Sequence, residues 1–525
     1  MKNKIYKALA IILVGATTLT SCDKGFEEVN TDPINIKATT PDKLLAPALV
    51  SSLTASMQRN RNFNNELMQV TVSISDGDAT VFRYEFRRTF ADYLWNSWFI
   101  QINNFKDIHA LASQPEMLNE SYQAISLICQ SWLFSNLTDT YGDIPYSQAA
   151  QGKNQNVEPV FDKQQDIYQD IYKKLEDANT LLAKGVAIVP SSDPMFNGDV
   201  SKWRKFSNSL YLRLLLRASR KAEVANTNIA KIKQIVEGNA TNYPIMQNNS
   251  ESATVRWTGE MGTGPFVSPY VNGVRVQDFR AASLGSFFID HLRDWDDPRL
   301  KTTAPYGTGG TGATNRWAIN QAPTGGYKGT PSGYAIGTGQ DRQSYFYSSD
   351  QLISNVALGA KSLQQSPLTG ILMNYAELQF ILAEAATKGW INGSAEDFYN
   401  RGIASSINYW VPPFPADGNH PDVQGYITGA DIEWDNALNL EGRMELIHLQ
   451  KYYALFMVDM QQWFEYRRTG HPILPKGPGL RNGGVMPARM TYPVYVQSAN
   501  PTNYKVAVTN QGVDEIFTNV WWQKP

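Results

Sequence analysis

Apolar residues recur along much of this chain at the spacing of buried helix faces. Leu45, Leu49, Leu53 and Met57 repeat every four residues and mark one buried stripe of a helix. Thr40-Pro41-Asp42 precedes that run, giving an N-cap, a proline at the first helical position and an acid in the first turn. Ile167, Ile171, Leu175, Ala178 and Leu182 form a second stripe, with Lys and Glu on the opposite face. Ile371, Tyr375, Leu378, Leu382 and Ala385 form a third, and further helices are expected near 210–220 and over 444–467. Helices of similar size that follow one another suggest stacked helix pairs, although the sequence shows no clean repeat period. The expected fold is therefore mainly α.

Two stretches break the pattern. Residues 241–280 and 301–348 carry many Gly, Thr, Tyr and Trp and read as long surface loops, where binding residues tend to sit. The run Gly307-Thr308-Gly309-Gly310-Thr311-Gly312 has no lysine after it and no apolar strand before it, so it does not read as a phosphate cradle. No stretch rich in Pro, Gly and Ser divides the chain after residue 40, and residues 40–525 are expected to form a single domain.

The N-terminus follows other rules. Lys2, Lys4 and Lys7 precede a mostly apolar run from Ala8 to Leu19. That run is shorter than the roughly 20 residues a helix needs to span a bilayer, and with its basic start it has the pattern of a secretory signal. Leu19-Thr20-Ser21-Cys22 resembles a bacterial lipobox. The expectation is removal of residues 1–21 and lipidation of Cys22, because two or more acyl chains anchor a protein stably. Residues 22–39 are then a tether. Its acids Asp23, Glu27 and Glu28 fit either a surface-export tag or a plain solvated linker.

Composition narrows the function. Loss of three lysines with the signal moves the net charge from −2 to −5, which argues against nucleic acid as a partner. Cys129 lies in an apolar run and reads as a small buried hydrophobe. Aromatics make up 12% of the chain, with 13 Trp and 26 Tyr; some of these rings are expected to face a ligand or partner. None of the five histidines pairs at i, i+4, and neither HExxH nor GxSxG occurs, so zinc-hydrolase and serine-hydrolase signatures are missing. Asp139 with Asp143, and Asp294 with Asp296 and Asp297, are the carboxylate clusters to weigh for glycoside hydrolysis. Asp143 precedes Ile144-Pro145 and Asp297 precedes Pro298, so turn and helix-end roles are favoured for both. Asp76 with Asp78, or the 294–297 cluster, could hold a structural calcium, but neither matches an EF-hand loop. No cofactor and no catalytic residue are expected.

Several motifs, in order, carry a family resemblance. Leu137-Thr138-Asp139-Thr140-Tyr141-Gly142-Asp143-Ile144-Pro145-Tyr146 resembles the signature of the SusD/RagB nutrient-binding lipoproteins. Phe161-Asp162 with Gln165-Asp166-Ile167-Tyr168, then Lys202–Leu210, Asp297-Pro298-Arg299-Leu300, Tyr327-Lys328-Gly329, Met373–Phe380, Leu382–Ala386, Gly402-Ile403 and Arg489 with Tyr492-Pro493 are similar to later family motifs. The resemblance spans nearly the whole chain. It implies tetratricopeptide-like helix pairs with irregular loops forming a ligand face, and a TonB-dependent, SusC-like β-barrel transporter as partner at the bacterial outer membrane. It also implies a nutrient ligand, an oligosaccharide or alternatively an oligopeptide.

The signature residues Asp139, Tyr141, Gly142, Asp143 and Pro145 are expected to be structural, with Gly142 supplying a positive φ. Glu384, inside an apolar helix, is expected to satisfy a neighbouring backbone group or arginine. By the resemblance, ligand contacts come from the region before the signature helix and from mid-chain loops. Those regions offer Arg83, Tyr84, Tyr93, Trp95, Asn96 and Trp98, then Tyr306, Asn315, Arg316, Trp317 and Tyr334. Core packing is the competing role for Trp95 and Trp98. Trp317 is the leading platform, an indole beside a donor pair in a Gly-rich loop.

Overall fold

The computed structural model describes residues 39–77, 79–152, 155–258, 266–300, 316–351 and 362–524. The signal segment, Cys22, the tether through residue 38, Asp78, the Gly307–Gly312 run, Tyr306 and Asn315 lie outside the described residues. From Pro41 onward the chain clusters as one unit, and it is mainly helical. Among the described residues, no helix is long and apolar enough to cross a membrane.

Thirteen α-helices of nine residues or more organise the described residues. They are α1 (Pro41–Arg59), α2 (Asp92–Leu111), α3 (Glu120–Tyr141), α4 (Gln164–Leu182), α5 (Val200–Ala218), α6 (Ala222–Glu237) and α7 (Ser286–Asp294). After these come α8 (Tyr375–Thr387), α9 (Ala395–Trp410), α10 (Pro421–Gly429), α11 (Leu440–Ala454), α12 (Gln461–Thr469) and α13 (Pro501–Gln511).

Their ends obey the capping chemistry of the sequence. The side chain of Asn119 accepts from the backbone N–H groups of Ser121 and Tyr122 before α3, Asp199 does the same for Ser201 and Lys202 before α5, and Asn374 accepts from Glu377 before α8. Each such cap satisfies one or two orphan donors and contributes about 1 kcal/mol. Gly470 ends α12 in the left-handed conformation.

Successive helices pack against one another from α1 to α6, and α8 packs on α9 and α11 and also touches α5. The α4 stripe Ile167, Ile171, Leu175, Ala178 and Leu182 is buried as its spacing predicts. One large core runs through the unit and contains Trp98, Trp132, Trp203 and Trp463, all fully buried. Burial of each such large side chain is worth roughly 1.5–3 kcal/mol or more.

Two expectations about element bounds change. Ile371 is not helical: Gly370–Met373 forms a strand that pairs antiparallel with Ala253–Val255, because Asn374 caps the helix that follows. The run expected as one helix over 444–467 is broken into α11 and α12. Between them Met457 and Asp459 take positive φ values of 69° and 27°, and the polar ends of this break enter the core network described below.

Strands are short and come in two-stranded antiparallel ribbons: β1 (Thr71–Val72) with β5 (Ser283–Leu284), β2 (Ile144–Pro145) with β3 (Phe161–Asp162), β4 (Ala253–Val255) with β8 (Gly370–Met373), and β6 (Ile319–Asn320) with β7 (Tyr345–Phe346). The first and last of these stitch together an irregular layer. Leu284 N–H donates to Ser344 O, Thr330 N–H to Leu284 O, Gly479 N–H to Gly333 O and Arg481 N–H to Arg83 O. Segments 68–77, 79–90, 283–285, 316–351 and 473–485 thereby contribute to one loop face.

Candidate functional site

The signature helix leads into a buried ionic seam. Asp139 is fully buried in α3. Its carboxylate accepts hydrogen bonds from Tyr168 Oη and Trp522 Nε1, both at 2.7 Å, and pairs with Arg217 at 2.6 Å. Arg217 in α5 also bonds Gln461 at 2.6 Å and reaches Glu465 at 3.1 Å. Glu465 in α12 takes Lys451 and Arg468 at 2.7 Å each. Arg468 then grips both oxygens of Glu384 at 2.6 and 2.7 Å, and Lys388 adds a further bond at 2.6 Å. The seam therefore ties α3, α5, α8, α11 and α12 together. Burial raises the Glu384 and Glu465 carboxyls, but the surrounding cations, Arg468 foremost, outweigh it and hold both well below the usual range. The expectation that Glu384 meets an arginine holds.

The turn after α3 is also structural. Gly142 has φ +86°, and a Cβ there would lie 1.6 Å from Gln511 Oε1, so both conformation and space call for glycine. Gln511 Oε1 accepts the Asp143 N–H, and Asp143 Oδ1 accepts the Gln164 N–H at 2.9 Å. Pro145 lies in β2, paired with Phe161. Tyr141 is buried against Trp95.

Most of these carboxylates are committed to partners within the chain. Asp139 and Asp143 are buried and engaged. Asp297 is fully buried, bonded to Arg299 at 2.6 and 2.8 Å and to Tyr426 at 2.7 Å. Asp294 is a surface residue paired with Arg293, and Asp76 pairs with Arg83 at 2.8 Å. Glu384, His448 and Glu465 do converge within metal-ligand spacing. Arg468, Lys388 and Lys451 already neutralise the two carboxylates, and burial, opposed by Glu384, drives the His448 imidazole down to about 4. A further cation there would face three fixed positive charges.

The residues expected to contact ligand are placed otherwise. Trp317 is 0% exposed. Its indole packs 4.7 Å from Phe456, 5.6 Å from Phe288 and 5.9 Å from Trp410, with Arg299 over its face at 5.1 Å. A ring so enclosed cannot stack on a ligand, which corrects its reading as the platform. Arg316 is half-buried beside it, its N–H on Arg299 O. Trp98 is fully buried and Trp95 nearly so, among Phe99, Tyr141, Phe161 and Tyr492; the packing role holds for both. Tyr84 is buried at a left-handed position. Arg83, 1% exposed, packs within 5 Å of the adjoining rings of Phe82 and Tyr334 and donates to Tyr334 O at 2.9 Å. These two residues brace the loop layer from within. Tyr334 is likewise buried, its hydroxyl on Ser73 O. Among the described candidates, Tyr93 and Asn96 are the exposed ones, Tyr93 under Arg59 and Asn96 accepting from Tyr495 Oη.

The outer surface of the loop layer offers a different set. On β7 the side chains alternate, as a strand requires. Phe346 points inward onto Phe456 and Phe288, and Tyr345 and Tyr347 lie together on the other side, ring centroids 6.0 Å apart, with Tyr345 buried and Tyr347 partly exposed. Asn320, the cross-strand partner of Tyr345 in β6, accepts the Tyr347 hydroxyl at 2.7 Å. Arg342 lies 4.0 Å over the Tyr345 ring, and Gln351 donates to the Tyr345 hydroxyl at 3.2 Å. Tyr327, with its phenol pushed up to about 12 by burial, borders Tyr347 and Gln321. Rings flanked by amides and a guanidinium give apolar faces with donors and acceptors at their edges, which is how a polyhydroxylated ligand is held. Sequence reading missed Tyr345 and Tyr347; the alternation in Tyr345-Phe346-Tyr347 was the available signal.

A helix-pair scaffold presenting a loop-built aromatic and polar face defines a binding protein of the helical-repeat class. A family profile sharpens that. The profile of the SusD-like 2 family, described as starch-binding and associating with the outer membrane, matches residues 33–493, and the chain belongs to that family. Among solved structures, a SusD homologue from Bacteroides fragilis aligns at 25% identity over 93% of this chain and 100% of its own, with a TM-score of 0.72. A chitin-binding protein aligns at 24% identity over 93% and 100%, TM-score 0.70. A chitin-binding SusD homologue from Flavobacterium johnsoniae aligns at 19% identity over 92% and 98%, TM-score 0.72. No curated protein matches the chain.

Proposed function

We propose that this protein binds nutrient oligosaccharides at the outside of the outer membrane, held there by acyl chains on Cys22, and passes them uncut to a TonB-dependent, SusC-like transporter. The carrying observation is the partly exposed Tyr347 on the loop layer, with Asn320 on its hydroxyl and the buried Tyr345 ring, covered by Arg342, beside it. The family description as starch-binding and outer-membrane-associating supports the reading, as do two structural relatives that bear the name chitin-binding. Engagement of Asp139, Asp143 and Asp297 in buried bonds supports binding without cleavage.

The test is calorimetric titration of the chain lacking residues 1–21 with chitin-derived, starch-derived and peptide ligands, each mixture afterwards analysed for products. Saturable binding of one glycan class with the glycan recovered intact is expected. Binding confined to peptides would replace the ligand class, and release of shorter glycans would overturn the non-enzymatic reading.

A further inference from the structure

A cleft of about 350 Å³ opens where α2, α3 and α4 meet the β2–β3 ribbon. None of its lining residues belongs to the loop segments, and its volume falls in the roughly 300–1,000 Å³ range of small-molecule sites. Phe134, Tyr146 and Ile167, all buried, give it an apolar wall, with the two rings edge to face at 4.4 Å.

Two polar groups in this cleft have unused capacity. Gln130 lines it and is 4% exposed. Ser126 Oγ spends its proton on Phe105 O at 2.5 Å, so toward Gln130 it can only accept, and it takes Nε2 at 2.9 Å. The amide is thereby fixed with Oε1 turned from Ser126. Among the described residues no group donates to that oxygen, which is left open to the cleft rather than sealed in the core. Buried polar groups are ordinarily satisfied. The second group is Lys106, half-buried, which gives one proton to Ala149 O at 2.8 Å and lies 5.8 Å from the Phe134 ring. The neighbouring acids are spent elsewhere. Asp162 accepts from the Tyr146 and Ser147 N–H groups and the Ser147 hydroxyl, and Asp170 pairs with Lys174 and accepts from Tyr146 Oη. Burial and the Lys174 charge hold the Lys106 ammonium below its ordinary range, outweighing Asp162 and Asp170; an anion beside it would offset both.

These groups choose the ligand chemistry. The ammonium calls for an anion and the amide oxygen for a donor, while the rings call for an apolar body. Ser126 ties the Gln130 amide to the carbonyl of Phe105, the residue before Lys106, so anion and donor must lie close together on the ligand. We propose that this cleft binds a small organic acid with a hydrogen-bond donor on the carbon next to its carboxylate. The carboxylate meets Lys106, the donor meets Gln130 Oε1, and an apolar side chain lies against Phe134 and Tyr146. An α-amino acid and an α-hydroxy acid share that chemistry. The cleft stands apart from the glycan face and does not depend on it.

Calorimetry of the chain lacking residues 1–21 with L-phenylalanine, L-phenyllactate, phenylpropionate and phenethylamine tests it. At least one of the first two should bind saturably, and the one that does names the source. Phenylpropionate, which lacks the donor, and phenethylamine, which lacks the carboxylate, should bind at least about tenfold more weakly. Lys106→Met keeps the stem and removes the charge, and should weaken the acid at least about tenfold with the unfolding midpoint nearly unchanged. Gln130→Met should weaken the donor-bearing acid similarly while leaving phenylpropionate unaffected, a split that general loss of structure would not give. Tyr347→Ala should leave acid binding as it was. Absence of saturable binding by both acids at millimolar concentration, equal binding of phenylpropionate, acid binding indifferent to Lys106→Met, or its loss in Tyr347→Ala overturns the proposal.

Discussion

The ionic seam and the loop face are built from similar residue types and use them oppositely. In the seam, arginine and carboxylate answer each other's charge within the chain: Arg468 spans Glu384 and Glu465, and Arg217 spans Asp139 and Glu465. Burial makes each charge costly, so each must be answered. On the loop face, Arg342 lies over Tyr345 and Tyr347 is only partly covered, which leaves ring edges and donors for a ligand. The densest sequence motifs thus mark where the protein answers its own charges. The loop residues proposed to meet a ligand carry no motif at all.

The largest expected effect breaks the seam. Arg468→Met should cost about 3–5 kcal/mol, because it leaves Glu384 and Glu465 short of charge inside the core. Replacing both members of the separate buried pair, Arg213→Met with Glu377→Leu, should cost far less than either single change, since no charge is then stranded. Denaturant unfolding measures all of these. A loss under about 1 kcal/mol for Arg468→Met would show that solvent reaches the seam and would erase the contrast between the two regions.

Next comes Trp317→Ala, expected to cost about 3 kcal/mol by emptying the space among Phe288, Trp410 and Phe456. The sequence points the other way. Read locally, an indole directly after Asn315 and Arg316 and downstream of a Gly-rich run has nothing to bury it. Its burial is decided by α7, α9 and the break between α11 and α12, residues about 30 to 140 positions distant in sequence. The same logic explains what was legible. Gly142, Asp143 and the helix caps act within a turn of their own backbone, and Glu384 announces itself as an acid in an apolar helix. Ile371 fits a helical spacing and a strand alike, and Asn374 decides between them. Trp317→Ala with an unchanged midpoint and weakened glycan binding would return the indole to the ligand face and dissolve the comparison.

The smallest expected change in stability tests the loop face itself. Tyr347 follows β7 directly, and its hydroxyl donates to Asn320 Oδ1 at 2.7 Å. Losing that bond from a partly exposed position costs about 1 kcal/mol, and little core volume goes with the ring, because Phe346 and not Tyr347 faces Phe456 and Phe288. Binding should respond more strongly. A central aromatic anchor is worth about 2 kcal/mol or more when truncated, which is roughly a 30-fold loss of affinity. Tyr347→Ala should therefore weaken binding of whichever glycan the titrations identify by about that factor, with the midpoint nearly unmoved. Tyr347→Phe keeps the ring and removes only the hydroxyl, so it should lose about fivefold and separate stacking from hydrogen bonding. Unchanged affinity in Tyr347→Ala would place the ligand on another part of the layer. A midpoint that falls as far as that of Trp317→Ala would make Tyr347 a packing residue, and the two regions would then differ in location but not in kind.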